Sequence, residues 1–220
     1  LSRGNKYNSS SIFEAEEIRR FGGIDVSDSR EVFTKALRLK DKEVKNLIQL
    51  DQFNNPDSRI VLELKSSNEL LLERAKDSSG CLTGDGERFY KYIWEPKLND
   101  AWLPLQSTVS STMHFSGCSQ VLYWEKGKGE LSKLAEEMKG TNHAVQNWKR
   151  GQDVWGKKGV VISSMRQLPS TLYQGTHFDN NAAVIVPNNL SDLSALWCFC
   201  SSVNYNEEVR KIDQKLNVTN

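Results

Sequence analysis

The sequence predicts an α+β fold. A small helical connector spans residues 1–78, and a mixed β-rich domain with supporting helices spans residues 79–220. Three observations carry this. Apolar residues recur at helical spacing through the first part, with balanced charges. A composition shift begins near Gly80, after which glycine turns and short β-rich segments dominate, and all six tryptophans (Trp94, Trp102, Trp124, Trp148, Trp155 and Trp197) lie beyond it. Clean helical stripes then return only at Leu131–Met138 and beyond Leu193.

Taken in order, Ser11-Ile12-Phe13-Glu14 has the spacing of a capping box, and Gly22 supplies a stop. Val32, Phe33, Ala36 and Leu37 predict a helix; Val44, Leu47 and Ile48 predict the next. Asn54-Asn55-Pro56-Asp57 predicts a turn, Arg59 to Glu63 a short strand and Glu69 to Lys76 a helix. Strands are expected at Trp102–Leu105, Gln120–Trp124, Val160–Ser163 and Ala182–Val186. Between them Leu131, Leu134, Ala135 and Met138 stripe one helix, opposite Lys133, Glu136, Glu137 and Lys139. Two helices close the chain. Leu193, Leu196, Trp197 and Cys200 share a face of the first; Val209, Ile212 and Leu216 share one on the second, with Asn206 as its expected cap.

The 220 residues suffice for one large domain or two small ones, and a formal net charge of +1 excludes a globally basic nucleic-acid binder. Any phosphate-binding face must be local. Cys81, Cys118, Cys198 and Cys200 fit neither a zinc knuckle nor a C-x-x-C pair, so reduced thiols in a cytoplasmic protein are expected. No apolar run reaches membrane-span length, and no signal peptide is expected. Leu1 and the final Asn217-Val218-Thr219-Asn220 suggest a piece excised from a longer protein, with the domain truncated at its C-terminal end. The absence of heptads and of metal-ligand spacing among His114, His143 and His177 predicts a monomer without a metal.

No catalytic set is present in the sequence. There is no G-x-x-x-x-G-K-[ST] and no G-x-G-x-x-G. Asp85 and Glu87 suggest acid–base work, with His177 as a third member of a small hydrolase. Within a glycine turn, however, solvated or capping carboxylates are the ordinary outcome. What remains is a binding surface. Val121 to Val160 holds eight cations (Lys126, Lys128, Lys133, Lys139, Lys149, Arg150, Lys157 and Lys158) against five acids. Lys149-Arg150-Gly151 and Gly156-Lys157-Lys158-Gly159 flank Trp155. Lysine and arginine on glycine-rich turns are the residue types that contact phosphates, because glycine lets the backbone come close. The rival reading is a Trp-rich carbohydrate- or peptide-binding module.

Cys81-Leu82-Thr83-Gly84-Asp85-Gly86-Glu87-Arg88-Phe89 resembles the opening of the target-recognition region of adenine-specific DNA methyltransferases of the type IIG restriction–modification and BREX phage-defence kind. Tyr173-Gln174-Gly175-Thr176-His177-Phe178-Asp179-Asn180-Asn181, followed by Ala182 to Pro187, resembles a strand-and-turn segment late in that region. Gln120 to Glu125 is similar to the family's V-x-x-W strand, Ser191 to Cys200 to its closing helix, and Asn55 to Ile60 to the lead-in of BREX-like relatives. Arg166 resembles a polar anchor. One departure stands out: Gly86 replaces the asparagine usual in the opening motif.

The resemblance implies sequence-specific binding of double-stranded DNA by a TaqI-like specificity domain that works beside a methyltransferase core of the same parent enzyme. S-adenosylmethionine and the Asn-Pro-Pro-Tyr loop that takes the flipped adenine belong to that core, and this chain is non-catalytic by itself. With the basic turns read as its phosphate-binding part, Lys149, Arg150, Lys157 and Lys158 are expected to meet phosphates, and Arg88, Arg166, Gln174 and Thr176 to make polar DNA contacts.

Overall fold

The computed structural model describes residues 20–24, 32–41, 43–55, 60, 62, 71–213 and 218. It is an α+β protein of two compact units, Leu1–Ser66 and Ser67–Asn220.

In the first unit, β1 (Arg20–Gly23) pairs antiparallel with β2 (Lys45–Ile48), and α1 (Val32–Asp41) lies between them in sequence. The helix forms where its apolar spacing predicts it, although Phe33 and Leu37 are exposed. Two expectations are corrected. Gly22 sits inside β1 rather than ending a helix, opposite Asn46, where a Cβ would come within 2.7 Å of a Val44 methyl. Leu47 and Ile48 belong to a strand, not a helix. The spacing of Val44, Leu47 and Ile48 fits a helix, but three residues are a weak periodic signal, and the ladder to β1 overrides it. A 3-10 turn, Leu50–Asn54, ends at Asn55, whose side-chain Nδ2 donates to Gln52 Oε1 at 3.0 Å. The capping box at Ser11–Glu14 lies outside the described residues. So does the strand expected at Arg59–Glu63, apart from Ile60 and Leu62.

The second unit holds two four-stranded sheets. In the first sheet the order is β3 (Ala75–Ser79), β10 (Ala182–Pro187), β7 (Gly159–Ser163) and β8 (Ser170–Tyr173), antiparallel throughout. The helix expected over Glu69–Lys76 is a single turn, α2 (Leu71–Arg74), and the chain passes directly into β3. The register from Ala75↔Pro187 to Ser79↔Ala183 supplies what the local sequence does not, a partner for every residue of that strand. Residue 78, where the connector was expected to end, therefore lies inside a strand of the second unit.

The second sheet runs β4 (Tyr90–Tyr92), β6 (Gln120–Tyr123), β5 (Trp102–Gln106) and β9 (His177–Phe178), with only β5–β9 parallel. Strands β5, β6, β7 and β10 stand where the sequence places them, within a residue or two.

Side-chain alternation along β7 and β10 divides the core. Val160, Ile162 and Ile185 pack with Ala75, Leu168, Leu196 and Cys200, the last two from α5 (Leu193–Cys200). Val161, Val184 and Ala182 point the other way and pack with Val154, Tyr173 and Phe178. Both faces of these strands are therefore dry, which explains their unbroken apolar sequences. The second sheet buries Leu105 and Leu122 against Phe89 of α3 (Gly86–Phe89) and against Leu131 and Ala135 of α4 (Glu130–Glu137), together with Trp124 and Trp148. The final helix, α6 (Val203–Ile212), starts at Ser202, whose hydroxyl accepts from the Tyr205 amide at 3.4 Å. Asn206, the expected cap, is one turn inside the helix and donates to Gln167 Oε1 at 2.9 Å.

Candidate nucleic-acid interface

The two segments that resemble recognition-region motifs lie together. Cys81 bridges to Asp179 in a parallel contact, and its amide donates to the Phe178 carbonyl at 2.8 Å. Gly80 makes this approach possible: a Cβ there would stand 2.0 Å from the Asp179 carbonyl oxygen. Asp179 is buried. Burial raises its carboxyl pKa, opposed by hydrogen bonds from the Ser107 hydroxyl and the Asn181 amide. Cys81 is also buried, which pushes its thiol up to about 11 and removes it from nucleophilic chemistry. Asp85 is a cap: its Oδ1 accepts from the Arg88 amide at the start of α3 (3.2 Å). Gly84 has φ +73° and faces Val145, whose Cβ would lie 3.1 Å from a Cβ added at this position, so this turn packs against the protein.

The cationic segment is a chain of tight turns fastened to the second motif. Arg150 donates its amide to Asn147, Gln152 to Lys149, Val154 to Gly151 and Lys157 to Val154, all between 3.0 and 3.4 Å. Gly151 has φ +89°, and a Cβ there would meet the Phe178 ring at 2.7 Å. Val154 is buried in the core beneath the loop. Gly156 donates its amide to the Gly175 carbonyl at 2.9 Å, which locks the Gly156-Lys157-Lys158 turn onto Gln174-Gly175-Thr176. Trp155 packs against His177 with ring centroids 3.9 Å apart and planes tilted by 37°, and Trp124 lies 4.7 Å from the same imidazole. Burial lowers the His177 pKa to about 4, so the ring is neutral at physiological pH.

Lys149, Arg150, Lys157 and Lys158 are exposed on this scaffold. Lys149 lies over the Trp148 ring at 4.5 Å, and Arg150 donates to Asn147 Oδ1 at 2.9 Å. Among the described residues none of the four pairs with a carboxylate.

The weaker candidates are scattered. Arg88 is engaged with Glu130 at 2.7 Å and lies over the Phe89 ring, which directs its charge toward a structural contact. Thr176 is half-buried; its hydroxyl donates to the His177 carbonyl at 3.2 Å, and its own carbonyl accepts from the Tyr173 hydroxyl. Gln174 exposes its side chain while its amide donates to Gln106 Oε1 at 3.2 Å. Arg166 is exposed at the tip of the β7–β8 hairpin, with φ +59°. Gln167 beside it was not singled out from sequence, because a lone exposed glutamine carries no local signal.

Other chemistry finds little support. His177 is held by tryptophans and hydrogen-bonds neither Asp85 nor Glu87, so the hydrolase set is not assembled. Among the described residues no three His, Cys, Asp or Glu side chains gather into a metal site, and no helix is long and apolar enough to cross a membrane. All four cysteines are free thiols. No family model and no curated protein matches this chain.

Proposed function

We propose that this chain is the double-stranded DNA recognition part of an adenine-specific DNA methyltransferase or restriction–modification enzyme of bacterial phage defence, acting in the cytoplasm and non-catalytic by itself. The observation that carries the reading is the union of the cationic turns with the second motif. Four cations that meet no carboxylate among the described residues ride on a loop whose backbone is fixed by the Gly156–Gly175 hydrogen bond and by Gly151 against Phe178. A rigid, locally basic loop fits phosphate contact on a chain that is otherwise nearly neutral. On this reading S-adenosylmethionine belongs to the catalytic core of the parent enzyme.

The test is duplex binding followed across salt concentration, in this chain and in the full-length protein. The logarithmic affinity should fall with a slope of about 0.9 per phosphate neutralised. Replacing Lys149, Arg150, Lys157 and Lys158 with alanine should reduce that slope by about two to four, with similar losses on any duplex. Unchanged affinity and slope in the quadruple variant would reject this placement of the DNA face.

One observation favours the rival, a carbohydrate or peptide module. Trp94 is 71% exposed and stacks on Tyr92 at 4.7 Å and 8°. If Trp94→Ala abolished binding to an oligosaccharide or peptide array while duplex binding was absent throughout, that module would be the better reading.

A further inference from the structure

The tip of the β7–β8 hairpin is held in a costly conformation by a distant helix. Arg166 and Leu168 both have positive φ, +59° and +53°, although neither is glycine. Side chains with a Cβ disfavour that region, and such residues persist only where the surroundings over-determine them. Here two devices do so. Leu168 is 2% exposed and anchors the tip in the core against Leu196 and Cys200. From α6, the buried Arg210 donates Nη2 to the Arg166 carbonyl at 2.9 Å.

The same helix orients the tip's chemistry. Asn206 Nδ2 donates to Gln167 Oε1, so the amide oxygen of Gln167 faces the protein and its Nε2 hydrogens are left for a ligand. The Arg166 guanidinium, which can only donate, has no ion-pair or hydrogen-bond partner among the described residues. The two exposed side chains at the tip, Arg166 and Gln167, thus both present donors.

We infer that this tip reads guanine in the major groove, with Arg166 as the base-contacting residue and Asn206 as a positioning residue that sets the Gln167 amide. The inference rests on the DNA-recognition reading above. Guanine is the base that offers two acceptors side by side, N7 and O6; adenine and cytosine each present a donor that this edge would repel. Phosphates are acceptors as well, but a phosphate contact needs neither an oriented amide nor a fixed strained backbone.

The experiment is selection of preferred sequences from a random duplex pool by the full-length protein, followed by affinity measurements. The wild type should enrich a motif that contains guanine. Arg166→Ala should erase the preference at one guanine, leave the rest of the motif intact and weaken the selected duplex roughly 5- to 150-fold, with little change on a scrambled duplex. Replacing that guanine with 7-deazaguanine should weaken the wild type and leave Arg166→Ala unaffected. Asn206→Asp can only accept, so it should turn the Gln167 amide around and favour a donor-bearing base, adenine or cytosine, beside that position; a merely structural role would not move the preference. Thermal melts establish that each variant is folded. The inference is overturned if Arg166→Ala keeps every guanine preference, or if it weakens selected and scrambled duplexes equally, which would make Arg166 a phosphate contact. A wild type that enriches no sequence at all would reject the recognition reading itself, and this inference with it.

Discussion

Gly151 and Gly156 both have positive φ, +89° and +77°, yet they carry different constraints. A Cβ at Gly151 would press on the Phe178 ring, whereas one at Gly156 would meet nothing within 4 Å. Gly151→Ala combines left-handed strain with a clash and should cost at least about 2 kcal/mol; Gly156→Ala carries the backbone term alone and should cost about 1 kcal/mol. Urea midpoints at constant m-value check both, and equal costs would show that the Phe178 contact is slack. His177 makes a pH-dependent prediction. Its folded pKa of about 4 lies below the ordinary 6.5, because burial among Trp124 and Trp155 disfavours the cation, and its Nε2 is buried without a hydrogen-bond partner. Between those two values the unfolded chain takes up a proton that the folded chain refuses. Stability should therefore be fully present above pH 6.5 and decline as pH falls toward 4, by up to about 3 kcal/mol from this residue. His177→Phe keeps an aromatic ring in place and should flatten that part of the profile in urea titrations at pH 4.5 and 7. The turn chemistry at this scale was legible in sequence, for Asp85 does cap α3. The engagement of Arg88 was not, because its partner Glu130 lies 42 residues away.

Helix α6 separates a cap from a tether, two roles that look alike in sequence. Ser202 accepts from the Tyr205 amide, while Asn206 reaches across to Gln167. Ser202→Ala should therefore cost about 0.5–2 kcal/mol of stability, the ordinary loss for an N-cap. Asn206→Ala should cost less in the same denaturant titration, since an exposed side-chain hydrogen bond contributes little. If the two costs were reversed, Asn206 would be the functional start of the helix. The same contrast explains what the sequence revealed of the elements. Strands β7 and β10 were readable because continuous apolar runs bounded by turns have few alternatives, and α4 because its stripe spans a full two turns. Strand β2 and the first two residues of β3 read as helix in the sequence because these strands are short, polar or ambiguous in period, and each is held by its partner strand. The cationic turns were readable from composition, whereas their fastening to Gly175 and the orientation of Gln167 depend on contacts between segments remote in sequence.

At the scale of the molecule, the two compact units make a test of where the folding boundary lies. Among the described residues, the buried clusters of core side chains draw on residues after Ser67. A fragment of residues 67–220 should therefore melt cooperatively, and its amide spectrum should overlay on that of the same residues in the whole chain. A fragment beginning at residue 79, the boundary suggested by composition, would lose β3 almost entirely. Ala75 would vanish from the core, and β10 would exchange a paired edge for an open one along Ala183 to Pro187. That edge is apolar, and an exposed flat apolar edge is a template for pairing with another copy. The shorter fragment should lose about 3 kcal/mol, lowering its melting temperature by roughly 10 °C for a domain of this size, and it should aggregate with increasing concentration. Light scattering alongside a circular-dichroism melt separates the two effects. Equal melting temperatures and no concentration-dependent scattering for the two fragments would show that β3 is dispensable, and that the second unit folds from residue 79 onward.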